Sequence, residues 1–542
     1  MTTESWDYII VGAGAGGCVL ANRLTEDRDV KVLLLEAGGP DNSIYMQMPL
    51  GWRQIWRGPK YNWNYLSEPE PYCDNRQLVT PRGKTLGGST SINGMLYLRG
   101  HPKDYDQWRQ LGNEGWSFAD VLPYFKKSEG SWRGDTKYHG GSGPMGVSPI
   151  DVTGLHYDAF LESAKQAGFP VTDDVNGENP EGFTKVDFMV KNGRRTSAAR
   201  AYLHPAMSRP NLEVKTYALT HKVLVEKGRA VGVEYSQDGQ VKTARAEREV
   251  LLAGGAYNSP QTLLLSGIGP ADEIRAHGIA PVHDLKGVGK NLQEHIITYV
   301  QFATKEPITF MNELRWDKLA LATIQWSLFQ TGMMANQPLT GLGFIKSRPD
   351  LERPDLEIFC NPVRLDADVW FPVIKPGLPH AFEACPSILH PESRGEVTLR
   401  SADPKDNARV LFNFLQAESD RMAMRAGIRA VRKMYNSGPL GEMILRENKP
   451  GIDVQSDDEL DTYLRASVDL GHHPTSTCTM GINDMAVVDP QLRVRGIEAL
   501  RVVDASVMPL VPGGHTNAPT VMLAEKAADM IRGRPALAPA AL

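Results

Sequence analysis

Two segments near the end of the chain combine histidine and amide side chains with small residues and prolines. The first is GHHPTSTCTMG at 471–481, and the second is GGHTNAPT at 513–520. His473 precedes Pro474, and a residue before proline favours extended over helical geometry, so we expect its imidazole on a loop. Loops often present catalytic groups, and a neutral imidazole can accept a proton. The local pattern supports two interpretations equally: a catalytic base, or a histidine that caps a turn.

No metal site is expected at these histidines. The side chains of His472 and His473 would point in opposite directions on an extended chain, so they cannot share a zinc ion. The sequence contains neither C-x-x-C nor H-E-x-x-H spacing. Its five cysteines are odd in number and widely scattered, which is typical of reduced thiols rather than of a disulfide framework.

A glycine fingerprint near the start of the chain predicts a cofactor site. An apolar run at 8–11 predicts a buried strand, and Gly12, Gly14 and Gly17 follow it in the pattern G-x-G-x-x-G. These glycines would allow a tight turn, close approach of a pyrophosphate, and packing of the next helix on the strand. That helix would direct its free N–H groups at the phosphates. A second strand ends on Glu36, whose carboxylate can accept a ribose hydroxyl. The stretch predicts dinucleotide binding without choosing the dinucleotide.

Bulk properties narrow the class of protein. A chain of 542 residues exceeds what one hydrophobic core usually organises, so two domains are expected. A net charge of −5 with no basic run argues against a nucleic-acid partner. No apolar run reaches transmembrane length, and the first strand begins too early to leave room for a signal peptide. We therefore expect a cytoplasmic protein, with peripheral contact at the inner membrane left open.

Two further segments have either a structural or a functional interpretation. The run PRGKTLGGSTSIN at 81–93 has little side-chain bulk, so its N–H groups could press against an anion or a flat ring, or it could be a linker. The passage 46–72 is rich in Trp and Tyr. It is either a packed loop or the lid or wall of a channel, because long irregular loops tend to be functional.

Residue spacing predicts the main elements elsewhere. We expect two helices within 104–129 with Ser117 as an N-cap, and a third over 158–168. Short strands follow from 212, with a hairpin turn at 227–229, and then a buried strand over 249–256. Three further helices are predicted over 196–203, ending before Pro205; from 258–260 to Leu265; and, as a long amphipathic helix, over 518–532.

Taken together, these segments resemble the glucose–methanol–choline (GMC) family of flavin-dependent oxidoreductases over essentially the whole chain. The likeness is greatest to its bacterial branch of alkanol, choline and polyethylene glycol dehydrogenases. The matching motifs are GAGAGG at 12–17 with Glu36, PRGKTLGGSTSIN at 81–93, GAYNSPQTLLLSGIG at 255–269, GVGKNLQEH at 287–295, HPTSTCTMG at 473–481, and VVDASVMP through NAPTVMLAE at 502–525. The resemblance implies that the dinucleotide is FAD.

The resemblance also implies roles for individual residues. His473 matches the family's histidine above the flavin, which acts as base, and Asn517 matches its second active-site position. Ile92 stands where members with covalent FAD have histidine, so the flavin should be held non-covalently. Glu294 replaces the family's usual Asp, a departure that we expect to be neutral. Besides Asn517, the expected FAD contacts are Gly12, Gly14, Gly17, Glu36, Arg82, Gly87, Ser91, Ile92, Asn93, Gly94, Met95, Val223 (through its backbone to the adenine), Asp504 and Ala505.

The implied fold class is an α/β Rossmann-like FAD-binding domain interleaved with an α+β substrate domain built on an antiparallel sheet. We place the FAD-binding domain at 1–157, 192–297 and 465–542. The substrate-binding domain then comprises 158–191 and 298–464.

The implied activity is oxidation of a primary alcohol to an aldehyde, with hydride transfer to flavin N5. His473 would take the hydroxyl proton, and Asn517 would hydrogen-bond the same oxygen. A quinone, an electron-transfer protein or another non-oxygen acceptor is favoured over oxygen, which would yield hydrogen peroxide. A lyase or a fatty-acid photodecarboxylase of the same family is a weaker alternative, because the photoenzyme needs no base at His473.

The substrate itself is not indicated by the sequence. Six aromatic residues of the second domain suggest an apolar or aryl-accepting pocket: Phe310, Trp316, Trp326, Phe329, Trp370 and Phe371. Core packing accounts for most such residues, so we expect only one or two of them to line the pocket. A choline site would require a carboxylate or an aromatic cage, which the sequence does not identify.

Overall fold

The computed structural model describes residues 5–56 and 58–542. Its first sheet has seven strands, which run in the order Leu212–Lys215, Val32–Leu35, Ser5–Val11, Gln240–Leu252, Arg229–Gln237 and Leu219–Glu226, with Leu500–Val502 beside Gln240–Leu252. Pairing is parallel among Leu212–Lys215, Val32–Leu35, Ser5–Val11, Gln240–Leu252 and Leu500–Val502, and antiparallel in the hairpins. The predicted α/β Rossmann-like half is confirmed.

The fingerprint forms the centre of this sheet. Strand Val32–Leu35 is buried throughout, as expected for apolar residues between helical layers. Helix Ala15–Leu24 follows the glycines and packs against the C-terminal helix Asn517–Ile531. Because parallel strands end at one edge, the loops after Val11, Leu35 and Leu252 meet there.

The second sheet has eight strands and is antiparallel, as predicted. Its order is Ile444–Lys449, Val300–Thr304, Ala381–Ile388, Leu356–Asn361, Gly341–Ile345 and Gly182–Thr184, with Ile296–Ile297 joining Ala381–Ile388 to Asp469–Leu470. Helix Glu418–Tyr435 covers one face, where the rings of Tyr435 and Phe302 stack with centroids 4.6 Å apart. The opposite face is free to line a cavity.

The remaining elements connect and cover the two sheets. The other helices are Ile44–Gln47, Trp52–Trp56, Pro102–Gln110, Phe118–Ser128, Tyr157–Gln166, Ala199–Leu203, His204–Ala206, Gly255–Leu265, Ala271–Ala276, Trp316–Phe329, Gly438–Met443 and Asp457–Ser467. Short 3₁₀ turns lie at Pro49–Gly51, Pro59–Tyr61, Gly88–Ser91, Phe310–Leu314, Met333–Ala335 and Ala505–Val507. The other strands are Tyr65–Leu66, Val79–Thr80, Glu129–Ser131, Met145–Pro149, Asp187–Phe188, Val190–Lys191, Arg194–Arg195, Ile268–Gly269, His283–Asp284, Glu396–Thr398 and Arg409–Leu411.

Three predicted helices differ from the structure. Helix Gly255–Leu265 begins before Asn258. Pro260 has no N–H to donate to the Ala256 carbonyl, and the Thr477 hydroxyl donates to that carbonyl instead, at 2.7 Å. The helix expected to end before Pro205 continues to Ala206, since Pro205 lies in the first turn of His204–Ala206, where no N–H is required. The C-terminal helix is not amphipathic, because all but three of its 15 residues are buried.

Candidate functional site

One large cavity of about 1150 Å³ lies between the two sheets. The loops at the edge of the first sheet line one end. The free face of the second sheet and the loop after Asp469–Leu470 line the other. We call these the nucleotide end and the reaction end.

At the nucleotide end, Gly12 and Gly17 are required by geometry. Gly12 has φ +98°, and a Cβ there would lie 2.6 Å from the Ala253 backbone oxygen. A Cβ at Gly17 would lie 1.9 Å from the Gly12 oxygen, so Gly17 brings the helix onto the strand. Gly14 caps helix Ala15–Leu24 without a side-chain partner, so its N-terminus can receive a phosphate.

Glu36 also lies at the nucleotide end, with both carboxylate oxygens engaged. One accepts the Ala13 N–H at 2.9 Å and the other accepts the Gly38 N–H at 2.8 Å. Burial raises the pKa of Glu36 to about 7, although both hydrogen bonds favour the ionised form. Carboxylate oxygens have further lone pairs, so Glu36 can still accept a ribose hydroxyl.

Asp504 organises the second glycine turn. Its carboxylate accepts from the Ser259 hydroxyl at 2.5 Å, from the Gly255 N–H at 2.9 Å and from the Ser506 N–H at 2.8 Å. The turn therefore keeps its shape through side-chain hydrogen bonds, and Asp504 and Ala505 both reach the cavity.

Arg195 positions the segment that contains Asn93. Its guanidinium is buried and donates to the backbone oxygen of Asn93 at 2.7 Å and to its Oδ1 at 2.6 Å. A third bond goes to the Thr90 carbonyl at 3.2 Å. Burial lowers the pKa of Arg195 to about 9. Sequence reasoning missed this residue, because one arginine among the 59 basic residues of the chain has no distinguishing signal.

His473 lies at the reaction end, where one contact holds its backbone and two hold its ring. Its backbone N–H donates to Glu294 Oε1 at 2.6 Å, and its Nδ1 lies 3.0 Å from Nδ1 of His295. The His515 ring lies alongside, with centroids 4.3 Å apart. Burial, reinforced by His515 and His295, holds the pKa of His473 well below its ordinary value. His473 is therefore neutral near pH 7. That Glu294 is a neutral departure from the family's Asp stays a prediction; its carboxylate bonds the His473 backbone N–H.

A second group at the reaction end consists of His515 and Glu357. Glu357 lies on strand Leu356–Asn361 and is 1% exposed. His515 Nε2 lies 3.4 Å from Glu357 Oε1. Within the part of the chain that the structure describes, none of these three side-chain atoms (His515 Nε2, Glu357 Oε1 and Oε2) has a well-formed hydrogen bond. Sequence reasoning did not identify Glu357, whose only signal is an acidic residue within an apolar strand.

Asn517 begins the C-terminal helix beside these groups. Its Nδ2 lies 3.0 Å from Met189 Sδ, a weak acceptor, and its buried Oδ1 has no partner in the described structure. Its amide is therefore available to a bound molecule.

Most residues expected to bind the cofactor line this one cavity. They are Gly12, Gly14, Glu36, Arg82, Ile92, Asn93, Gly94, Met95, Asp504, Ala505 and Asn517, together with His473. The cavity thus joins segments as far apart in sequence as Gly12 and Asn517.

Four expected contacts do not line the cavity. Val223 donates its backbone N–H to Ser266 Oγ at 2.8 Å, and the nearby wall is formed by 218–220. Gly87 donates to the Ala13 carbonyl at 2.7 Å, and Ser91 Oγ donates to the Leu86 carbonyl at 2.7 Å. The polar groups of Val223, Gly87 and Ser91 named here form hydrogen bonds within the protein. Together with Gly17, these residues therefore support the loops that line the cavity.

Two of the six aromatic residues of the second domain line the cavity, as expected. Phe310 and Trp316 line the cavity, whereas Trp326 is buried in a small cluster with Met48. The passage 46–72 contributes Trp52, Trp56 and Trp63 to the wall, which suits the predicted channel wall.

The fold and this cavity define a dinucleotide-dependent oxidoreductase, and comparison with known proteins supplies the family. Models described as GMC oxidoreductase match residues 6–297 and 391–524. The chain belongs to the GMC oxidoreductase family, and its cofactor is FAD.

Two curated relatives are similar over nearly the whole chain. The oxygen-dependent choline dehydrogenase of Chromohalobacter salexigens is 47% identical, over 98% of this chain and 95% of the relative. That of Burkholderia lata is 46% identical, over 99% and 95% respectively.

Two solved structures share the fold. Pyridoxine 4-oxidase from Mesorbium loti matches with a TM-score of 0.88 at 28% identity, covering 98% of this chain and 100% of that one. A variant of Aspergillus oryzae formate oxidase matches with a TM-score of 0.90 at 27% identity, covering 98% and 99%. The predicted family and fold are confirmed.

Proposed function

We propose that this protein oxidises a primary alcohol to the aldehyde with FAD, and that His473 is the base. The observation that carries the proposal is the half-buried, neutral His473 imidazole, which contacts His295 and lines the same cavity as the available Asn517 amide. FAD bound there would accept a hydride from the alcohol carbon. The residues described here bind and orient the alcohol and move its proton.

The contact between His295 and His473 determines which nitrogen can act. Two imidazoles that share an Nδ1–Nδ1 hydrogen bond need one donor and one acceptor. If His473 Nδ1 donates, its Nε2 has the free lone pair and can take the hydroxyl proton. Burial lowers the pKa of His295 to about 3, which keeps it neutral and able to accept. His295 is thus a positioning residue that selects the reactive tautomer.

Asn517 and His515 complete the proposed alcohol site. Asn517 can hydrogen-bond the substrate oxygen and stabilise the developing negative charge without competing for the proton. His515 is held beside His473 and opposite Glu357. FAD would be held by the nucleotide end without a covalent bond at Ile92, since an isoleucine side chain has no nucleophilic atom.

We propose an amino alcohol of the choline type as the first substrate to test. A buried carboxylate without a hydrogen bond is costly, and a bound cation would offset that cost. Within the described residues, Glu357 is such a carboxylate at the cavity wall, and Trp52, Trp56 and Trp316 add aromatic faces that can receive a quaternary ammonium. Two relatives named as choline dehydrogenases support the same choice.

A panel of alcohols tests the activity, the substrate and the acceptor together. Choline and primary aliphatic, aryl and polyether alcohols are compared by dye reduction and by peroxide formation in air. We expect choline to be the best substrate, with dye reduction exceeding peroxide formation. The relatives' printed names support the alternative, an oxygen-linked reaction, and dominant peroxide would establish it. No turnover with any alcohol would refute the proposal and favour a lyase or photodecarboxylase.

A further inference from the structure

A buried carboxylate outside the cavity contacts the loop that carries His515. Asp104 lies in the first turn of helix Pro102–Gln110 and is 2% exposed. It does not line the large cavity, and the proposed reaction gives it no part. A carboxylate is buried at a cost unless it is paired and hydrogen-bonded, so the groups that Asp104 contacts indicate what it does.

One oxygen of this carboxylate accepts two backbone N–H groups. Oδ2 of Asp104 accepts the His101 N–H at 2.8 Å, which is the ordinary capping contact of the helix. The same oxygen accepts the Gly513 N–H at 2.7 Å, from a residue 409 positions away in sequence. A helix cap requires the first contact and not the second. The second attaches the helix to the loop 511–516, which leads into the C-terminal helix.

The other oxygen binds two basic side chains at one end of the second sheet. Oδ1 of Asp104 lies 2.9 Å from His390 Nε2 and 2.8 Å from Arg353 Nη1. His390 follows strand Ala381–Ile388, and Arg353 precedes strand Leu356–Asn361. Burial raises the pKa of Asp104, but His390 and Arg353 outweigh it and hold the pKa at about 2. The carboxylate is therefore ionised near pH 7.

Glycines bring the loop close enough for this contact. A Cβ at Gly513 would lie 2.8 Å from the His390 ring, and a Cβ at Gly514 would lie 2.6 Å from the Gly100 nitrogen. Side chains at these positions would separate the loop from Asp104 and its neighbours. Two consecutive glycines also leave the backbone with many accessible conformations, so a contact from outside the loop is needed to fix its path.

The polar side chains that follow this loop have few hydrogen bonds of their own. Within the described residues, His515 Nε2 and Asn517 Oδ1 have no well-formed hydrogen bond. Asn517 Nδ2 lies 3.0 Å from Met189 Sδ, which is a weak acceptor. Their positions therefore depend on packing and on the backbone that carries them. Asp104 fixes that backbone at Gly513, two residues before His515.

The same carboxylate is also attached to the opposite wall of the reaction end. Arg353 donates to Asp104 and, at 2.6 Å, to Gln107 Oε1 on the same helix. The strand that follows Arg353 carries Glu357, whose Oε1 lies 3.4 Å from His515 Nε2. One buried charge thus joins the two segments whose side chains face each other at the reaction end.

We propose that Asp104 is a positioning residue for the alcohol oxidation, a role that rests on the proposed function. It holds His515 and Asn517 at the distance from Glu357 that the substrate requires. Asp104 does not touch the cavity and acts through the loop 511–516. A misplacement on the order of 1 Å can lower a rate about 10²-fold, so loss of this carboxylate should lower kcat.

A second helix provides the matched control, because it has the same cap without the contact to the loop. Asp120 occupies the same position in helix Phe118–Ser128, where it accepts the Ser117 N–H at 3.0 Å. Asp120→Ala and Asp104→Ala therefore remove the same kind of capping contact. Asp104→Ala also releases the loop 511–516.

The test combines hydrogen–deuterium exchange with turnover per bound flavin, both on the FAD-loaded protein. In Asp104→Ala, the backbone amides of 511–516 should exchange about tenfold faster or more, and kcat should fall about tenfold or more. Asp104→Asn keeps one acceptor oxygen, so it should show smaller changes of the same kind, and it replaces Asp104→Ala if that variant does not fold. Asp120→Ala should keep wild-type exchange at 511–516 and a kcat within about threefold of wild type.

A double-mutant cycle tests whether Asp104 acts through the loop. In an Asn517→Ala background, Asp104→Ala should lower the remaining kcat by no more than about threefold, because the group that it positions is already absent. An equal loss of kcat in both backgrounds overturns the proposal. So does a folded Asp104 variant whose loop exchange or kcat matches that of Asp120→Ala. If the wild type oxidises no alcohol, the proposed function fails, and the exchange measurement alone decides whether Asp104 fixes the loop.

Discussion

The two ends of the cavity differ in how their buried carboxylates are satisfied. At the nucleotide end, Glu36 and Asp504 use their carboxylates to hold backbone turns. At the reaction end, Glu357, His515 Nε2 and Asn517 Oδ1 have no well-formed hydrogen bond within the described chain. Buried polar atoms are normally paired, so the unpaired set marks where a substrate must supply the partners.

This difference separates two kinds of mutational effect. Changes at the nucleotide end should alter how much cofactor the protein holds, with little effect on the turnover of each bound flavin. Changes at the reaction end should alter turnover or substrate affinity while the cofactor stays bound. Single substitutions at each end test that separation.

Replacement of His473 should have the largest effect on rate. His473→Gln removes the proposed base, so kcat for alcohol oxidation should fall by about 10²- to 10⁴-fold. Bound FAD, measured by absorbance, should be unchanged. His472→Gln is the matched control, because His472 is likewise half-buried but its ring lies against Trp56. Equal losses in both variants would indicate a structural role for the segment.

Gly12→Ala should reduce the FAD content. The new Cβ would meet the Ala253 oxygen at 2.6 Å at a positive φ, a strain on the order of 1–3 kcal/mol. We expect about a tenfold or greater loss of FAD affinity, with kcat per bound flavin within about threefold of wild type. Gly228→Ala also has positive φ but open space around its Cβ, so it should keep its FAD. A normal FAD content in Gly12→Ala would contradict the assignment.

Glu357→Gln should affect cationic alcohols selectively. Loss of the carboxylate should raise KM for choline by about tenfold or more, since an interaction of about 1.4 kcal/mol corresponds to that factor. An uncharged primary alcohol of similar size is the internal control and should change by less than about threefold. Equal effects on both substrates would remove Glu357 from the proposed cation site.

The kcat/KM of alcohol oxidation should depend little on pH near neutrality. Burial lowers the pKa of His473, so the reactive neutral form persists as the pH falls below the ordinary histidine value of about 6.5. The acidic limb of kcat/KM should therefore lie below pH 6.5, with activity lost only when His473 becomes protonated. A limb above pH 7 would mean that another group controls the reaction.

Sequence reasoning identified the nucleotide end more completely than the reaction end. Gly12, Gly14 and Glu36 lie within one short stretch, where spacing alone predicts strand, turn and helix. His295, Glu357 and His515 come from three distant segments, and only the folded chain brings them to one end of the cavity. Local spacing has no information about such long-range contacts.

Errors in the predicted elements arose from tertiary contacts. Pro260 was taken as a helix start, but Thr477 satisfies the carbonyl that the proline leaves free. The C-terminal helix was expected to have a polar face, but Glu525 is buried in ion pairs with Arg23 and Lys127. In both cases a partner distant in sequence supplies what the local pattern lacked.

In the proposed reaction, an alcohol delivers its hydride to FAD in this cavity. The most direct test mixes the FAD-loaded protein with choline, and separately with a primary alkanol, in the dark without oxygen. We predict that choline bleaches the flavin absorbance fully and that His473→Gln slows bleaching by about 10²-fold or more. Flavin that stays oxidised with every alcohol would contradict the account.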